Sequence, residues 1–136
     1  MTYSNTNLFT HLIIKKENSN SMKTGSGAFT LKNSGDKEAI SLDLLELKKA
    51  DLVIRALNHK LRLNILKMLS EKPKSPVTSI YVKLRLEQSV ASQHLAIMRR
   101  AGIVKSEREG KFIYYSVNEN RISEIQKLAK KLAVGQ

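Results

Sequence analysis

The chain has 136 residues, of which 24 are Lys or Arg and 12 are Asp or Glu, giving a formal net charge of +12, and it has no cysteine. That length fits one small domain, and the lack of thiols excludes disulfides, thiolate metal sites and cysteine redox sensing. From Lys37 onward 20 basic and 10 acidic residues remain, so the charge is not confined to a tail; it is the footprint of a nucleic-acid binder, against the plainer reading of solubility or attraction to an acidic surface.

Residues 1–37 are rich in Asn, Ser, Thr, Gly and Lys without a clear period, and are expected to form a flexible tail. Residues 38–136 then make the folded domain. Within the tail, residues 8–14 (LFTHLII) have room for a short strand or helix. Thr10 and His11 interrupt this apolar run and Lys15-Lys16 follow it, which is the wrong order for a secretory signal. No apolar run approaches about 18 residues, so no membrane-spanning helix is expected, and the absence of cysteine fits a reducing cytoplasm. Met22 lies inside the tail. Translation starting there is one hypothesis, and a native protein beginning at Met1 or Thr2 by mass spectrometry would sink it.

A first helix is expected to be capped by Asp36 or Ser41 and to run to Leu57. Its apolar positions, among them Ile40, Leu42, Leu45, Leu47, Leu52, Val53 and Ile54, are too many for one stripe. A helix apolar on more than one side buries more than one face, one against its own core and the other against a partner subunit or the tail. Asn58 is the expected cap of the next helix, His59 to Ser70. Leu61, Ile65, Leu66, Met68 and Leu69 face inward there, and Lys60, Arg62 and Lys67 outward. Pro73 and Pro76 punctuate the following loop. Thr78 or Ser79 then caps a short helix to about Arg85, with Ile80, Tyr81 and Leu84 as core candidates.

Gln88 to Ala101 (QSVASQHLAIMRRA) reads as one amphipathic helix. Val90, Leu95, Met98 and Ala101 fall near one buried stripe, and Ser89, Ser92, Gln93, Ala96, Arg99 and Arg100 are left on the other side. That side is small, polar and basic, with no carboxylate after Glu87. Gln can pair with adenine, Ser with several base edges, and Arg with guanine or phosphate. The plainer reading is a core helix with a solvated face. Gly102 is a stop signal. Two β-rich runs follow, Ile103 to Arg108 and Lys111 to Val117, and predict a hairpin. If Glu109-Gly110 is a two-residue turn, Val104 pairs with Tyr115, Ser106 with Ile113 and Arg108 with Lys111. Val104, Ser106, Ile113, Tyr115 and Val117 then share a core-facing side, and the opposed cations at the tip would be relieved by a phosphate. Glu tolerates positive φ poorly, which leaves that register open. Asn118 or Asn120 caps a last helix to Val134, where Ile122, Ile125, Leu128, Ala129 and Leu132 keep a three-and-four rhythm. One narrow stripe suits a helix-pairing seam, or simple packing on its own domain.

Helix, Gly, strand, basic tip and aromatic strand in this order make a winged helix-turn-helix. The segments Gln88 to Leu95, Met98 to Val104, Arg108 to Lys111 and Tyr114-Tyr115, with Ala56 to Leu66 upstream, resemble the ArsR/SmtB family of bacterial transcriptional repressors over roughly residues 40–134. The resemblance implies a mostly α fold with a small β-hairpin wing, and a homodimer formed by the first and last helices. Leu45, Leu52, Ile122, Ile125, Leu128 and Leu132 are the expected interface residues. Metal-sensing members of the family place cysteines in the first helix of the reader pair, or Asp, His and Glu on the last helix. Here Val77 to Arg85 holds no cysteine and the last helix no histidine, and three scattered histidines give no metal-ligand spacing. No metal or other cofactor is therefore expected.

No Gly-rich phosphate loop, paired carboxylates or nucleophile with a base stands out, so no enzyme is expected. The reading is a sequence-specific regulator of double-stranded DNA, a repressor on a near-palindromic operator. Gln88, Ser89, Ser92 and Gln93 are its base-reading candidates, and Arg99, Arg100, Arg108 and Lys111 its phosphate or groove candidates. His94 is placed with them as a phosphate contact or a brace of the helix pair, beside the equally open reading of a structural histidine; His59 is read as surface. The alternative function is a winged-helix module for RNA or a protein partner, with Phe112 and Tyr114 stacking on single-stranded bases.

Overall fold

The computed structural model describes residues 27–31 and 39–135. The stretch 8–14, His11, Met22 and Asp36 lie outside them. The chain divides into two units, the first ending at Leu45 and the second beginning at Glu46.

In the first unit, β1 (Ala28–Leu31) pairs antiparallel with β2 (Ile40–Asp43), in a register from Ala28↔Asp43 to Leu31↔Ile40. This corrects two expectations. A strand lies inside the segment read as tail, and Ile40 and Leu42 belong to that ladder rather than to the first helix. Ile-Ser-Leu-Asp alternates apolar and polar residues, the strand period. The helix α1 starts only at Leu44 and ends at Leu57. Its cap is Asp43, whose Oδ1 accepts from the Leu45 amide at 2.8 Å, rather than Ser41.

In the second unit α1 is followed by α2 (Lys60–Ser70), β3 (Ser75–Pro76), α3 (Val77–Lys83), α4 (Gln88–Arg100), β4 (Val104–Glu109), β5 (Phe112–Val117) and α5 (Glu119–Ala133). Asn58 is not the cap of α2. Its amide donates to the Ile54 carbonyl and so belongs to the end of α1, while His59, in extended backbone, caps α2 by accepting from the Leu61 amide through Nδ1 at 3.2 Å. Nor does Thr78 or Ser79 cap α3. Pro76 precedes the helix at φ −70° with no side-chain cap, held extended by its pairing with Tyr114. The short strand β3 makes the sheet three-stranded, in the order β3-β5-β4, and puts Pro76 on an edge, where its missing N–H costs no ladder bond.

The core gathers Ile65 and Leu69 of α2, Ile80 of α3, Leu95 and Met98 of α4, and Ile103 and Val104 at the start of the wing, all essentially fully buried. Burying each such side chain is worth about 1.5–3 kcal/mol. Tyr115, Val117, Ile122 and Ile125 pack on this cluster from β5 and α5.

Arg62 was expected to face solvent and instead is 9% exposed. Its guanidinium donates to the carbonyls of Ala56 at 2.5 Å and Arg55 at 2.8 Å, the last turn of α1. Helix C-termini leave carbonyls without intrahelical donors and carry partial negative charge, so a buried guanidinium there satisfies both. Arg62 also stands three and seven residues before Ile65 and Leu69, on the buried stripe of α2.

Candidate nucleic-acid interface

The helix-turn-helix pair is α3 and α4. The turn between them has no glycine. After α3 the Leu86 amide donates to the Tyr81 carbonyl and the Arg85 amide to Val82, the two bonds of a Schellman stop, with Arg85 itself at φ +53°. The same pattern ends α4. Ile103 donates to Met98 and Gly102 to Arg99, with Gly102 at φ +74°. From there the chain enters β4 directly, so the wing is fixed to the end of α4. Asn118 ties the far end, donating from Nδ2 to the Gly102 carbonyl at 2.9 Å while its Oδ1 caps α5 through the Arg121 amide.

Along α4 the sides separate cleanly. Ala91, Leu95 and Met98 are fully buried, spaced four and three residues apart. Ala91 was missing from the expected stripe, and Val90 is only half-buried. Gln88, Ser89, Ser92, Gln93, Arg99 and Arg100 are all exposed. The first turn holds no acidic residue and the last turn holds both arginines, which also complement the helix C-terminus.

His94 is the exception among the expected contacts. It is half-buried, its Nδ1 lies 3.3 Å from an Arg62 guanidinium nitrogen, and its ring centroid is 4.9 Å from that of His59. Since an arginine can only donate, Nδ1 accepts and the imidazole is neutral in this arrangement. Burial first, then the nearby His59 and Arg62, hold the His94 pKa below its ordinary value. The cluster joins the end of α1, the start of α2 and the middle of α4. Neither His59 nor Arg62 was singled out for this role from the sequence.

In the wing, Cα partners run from Val104↔Val117 to Glu109↔Phe112. The turn is therefore Gly110-Lys111, not Glu109-Gly110, and the register differs by two residues from the expected one. Gly110 stands at φ +61°, a conformation Gly adopts without steric cost and Glu does not. A shift of two keeps every residue on its face, so Val104, Ser106, Tyr115 and Val117 remain on the inner side. Ile113 shares that side but lies near the tip and is 44% exposed. Arg108 pairs with Ile113, so the opposed cations expected at the tip do not occur. Arg108 Nε instead donates to the Gly110 carbonyl at 3.1 Å, and Lys111 Nζ lies 5.4 Å from the Phe112 ring centroid.

Lys74, before β3, pairs with Glu109. That hydrogen bond raises the lysine pKa. Lys74 also stands 5.1 Å from the Tyr114 ring centroid. Arg108 and Lys111 remain exposed, with no carboxylate partner among the described residues. No group of three His, Cys, Asp or Glu side chains among the described residues is placed to hold a metal ion, and none of their helices is long and apolar enough to cross a membrane.

A reader pair followed directly by a basic-tipped hairpin defines a winged helix-turn-helix protein. Residues 59–106, from the cap of α2 into β4, match the family described as bacterial regulatory protein, arsR family. An HTH-type transcriptional regulator of Methanocaldococcus jannaschii is 38% identical over 85 residues, covering 62% of this chain and 96% of that protein. The transcriptional repressor PagR of Bacillus anthracis is 34% identical over 87 residues, 64% of this chain and 87% of its own. The crystal structure of PagR superposes with a TM-score of 0.51 at 34% identity, covering 64% of this chain and 99% of that one. HlyU of Vibrio cholerae superposes with the same TM-score at 31% identity, over 62% and 92%, and the Vibrio cholerae protein of that name is described as a transcriptional activator. The chain belongs to the arsR family and is a DNA-binding transcriptional regulator.

Proposed function

We propose that the protein is a cytoplasmic repressor that occupies a near-palindromic operator as a homodimer. The observation that carries this reading is the exposed side of α4, which is polar and basic along its length while the opposite side is locked in the core. Thirteen residues at about 1.5 Å each give roughly 20 Å, enough for one groove crossing. In this reading Gln88, Ser89, Ser92 and Gln93 reach base edges, and Arg99, Arg100, Arg108 and Lys111 neutralise phosphates. His94, engaged by Arg62, holds α4 in place. The dimer is supported by the leucines left outside on α1 and α5. Leu45, Leu52, Leu128 and Leu132 are 56%, 66%, 47% and 62% exposed, while Ile122 and Ile125 contribute only the part not packed on their own core. The repressor sense is supported by the name of PagR; the Vibrio relative is named an activator, so a promoter reporter decides the sign. A single-strand reading is less well supported, because Lys74 and Lys111 stand over the Tyr114 and Phe112 rings that bases would stack on. No metal takes part in this reading, and zinc or a chelator should leave operator affinity unchanged.

Selection of bound duplexes from a random pool tests the proposal. Dyad-symmetric sites with half-sites about one helical turn apart are expected; sites without a dyad, bound by one chain, would overturn the dimer. On the selected site, Gln93→Ala or Ser92→Ala should cost about 1–3 kcal/mol and spare random duplexes. Arg108→Ala and Lys111→Ala should weaken both and reduce the salt slope by about one per lost phosphate contact. Equal losses on all sequences from the α4 variants would remove base reading from those residues.

A further inference from the structure

Beside the reading surface, α1, α2, α4 and α5 enclose an open groove of about 560 Å³, within the size range of small-molecule sites. Its floor is apolar, formed chiefly by Leu52 and Val53 of α1 and Ile97 of α4. Five cations line it, Lys49, Arg55, Arg62, Arg100 and Arg121, and no carboxylate does. Their engagements differ. Arg62 is committed to the α1 carbonyls. Arg55 and Arg121 hold exposed ion pairs with Asp51 and Glu124, neither of which lines the groove. Lys49 and Arg100 have no carboxylate partner among the described residues. An apolar floor below cations of one sign matches a ligand with an apolar body and an anionic head, because the head gains charge-assisted hydrogen bonds and the body leaves water.

We infer that this groove is a binding site for a small amphipathic carboxylate, its head held by Lys49 and Arg100 and its chain lying over Val53 and Ile97, the part of the floor that the proposed dimer face does not use. The geometry selects against a bare phosphate, which cannot use the floor, and against a neutral alcohol, which cannot use the cations. The inference shares Arg100 with the proposed phosphate contacts, but its failure and the failure of that reading are distinguishable, because binding is measured on the protein without DNA.

Calorimetric titration of the full chain with octanoate, below its micelle concentration, tests it. One octanoate per chain is expected, with affinity rising about three- to fourfold per methylene from hexanoate upward and octan-1-ol at least tenfold weaker. Lys49→Glu changes an exposed residue and should weaken octanoate at least tenfold without affecting octan-1-ol; Arg100→Glu serves in its place if that variant fails to fold. Amide resonances of Val53 and Ile97 should move with octanoate. Absent binding, unchanged affinity in the variant or an alcohol that binds as well would overturn the site. So would shifts at those amides that follow protein concentration and ignore octanoate, which would give the groove to a second copy of the chain.

Discussion

Helices α4 and α5 both lie on the core and both leave a face outside, yet they are held in opposite ways. In α4, Ala91, Leu95 and Met98 are fully buried and what remains outside is polar. No residue of α5 is buried. Ile122 and Ile125 only lean on the cluster, and Leu128 and Leu132 stay exposed. Exposed apolar residues scattered singly need no explanation, but Leu128 and Leu132 stand four residues apart on one side of α5. Within its own domain α4 is therefore satisfied and α5 is not. The one leaves a polar and basic face outside, and the other an apolar one.

The largest effect that separates the two is a leucine truncation on each. Leu95→Ala should cost about 2–5 kcal/mol, as for buried leucines generally, whereas Leu128→Ala should change the stability of the isolated subunit by no more than about 0.5 kcal/mol. Urea denaturation at low protein concentration measures both. Leu128→Glu and Leu132→Glu should then weaken self-association in sedimentation while leaving the fold intact. Variants that sediment like the parent would show that the unsatisfied face of α5 is not the seam.

The anchoring of α4 also depends on polar contacts, through Arg62 and His94. Arg62→Met keeps most of the volume but strips the donors from the carbonyls of Arg55 and Ala56, and should cost about 2 kcal/mol, in the range for hydrogen bonds to charged groups. His94 adds a pH dependence. Because burial depresses its folded pKa below 6.5, the unfolded chain takes up the proton first as pH falls. Stability is then fully present above about pH 6.5 and declines below it, until folded His94 protonates too. The contribution of Glu71, whose pKa is lowered by its hydrogen bond to Lys83, is lost only below the ordinary carboxylate value of 4.5, so the windows separate. Urea midpoints between pH 7.5 and 5 should fall for the parent and flatten in His94→Gln. An equal fall in both would assign the dependence to other groups.

What could be read from the chain follows the same division. The order of the helices and the wing hairpin, and the polar side of α4, were legible because they rest on local periodicity and on one glycine stop, Gly102. The β1–β2 ladder was not, since Ile40 and Leu42 fit a helix as well as a strand until Ala28–Leu31 is known to lie beside them. The wing register failed at one residue, because the positive φ had to fall on Gly110 and so moved the turn by one. Arg62 stood at the right spacing for burial, but a charge without its acceptors in view reads as surface. Those acceptors are the end carbonyls of another helix, which no side-chain pattern reports.

The smallest effect concerns the two stops that bracket α4, which make the same hydrogen bonds with different residues. Gly102 at φ +74° and Arg85 at φ +53° occupy the left-handed region, which costs an L-residue roughly 1–2 kcal/mol. A Cβ at Gly102 would meet Arg121 at 3.6 Å, ordinary contact, so the cost of Gly102→Ala is the backbone conformation less the entropy that the unfolded chain loses with the glycine, about 0.5–1 kcal/mol net. Arg85→Gly runs the other way. It removes the strain but frees the unfolded chain, which offsets roughly 0.5–1 kcal/mol, leaving a gain of about 0.5 kcal/mol. Urea denaturation of both variants measures the pair. A loss in Arg85→Gly would mean that the arginine side chain, exposed between α3 and α4, contributes more to placing the reader helix than its backbone strain takes away.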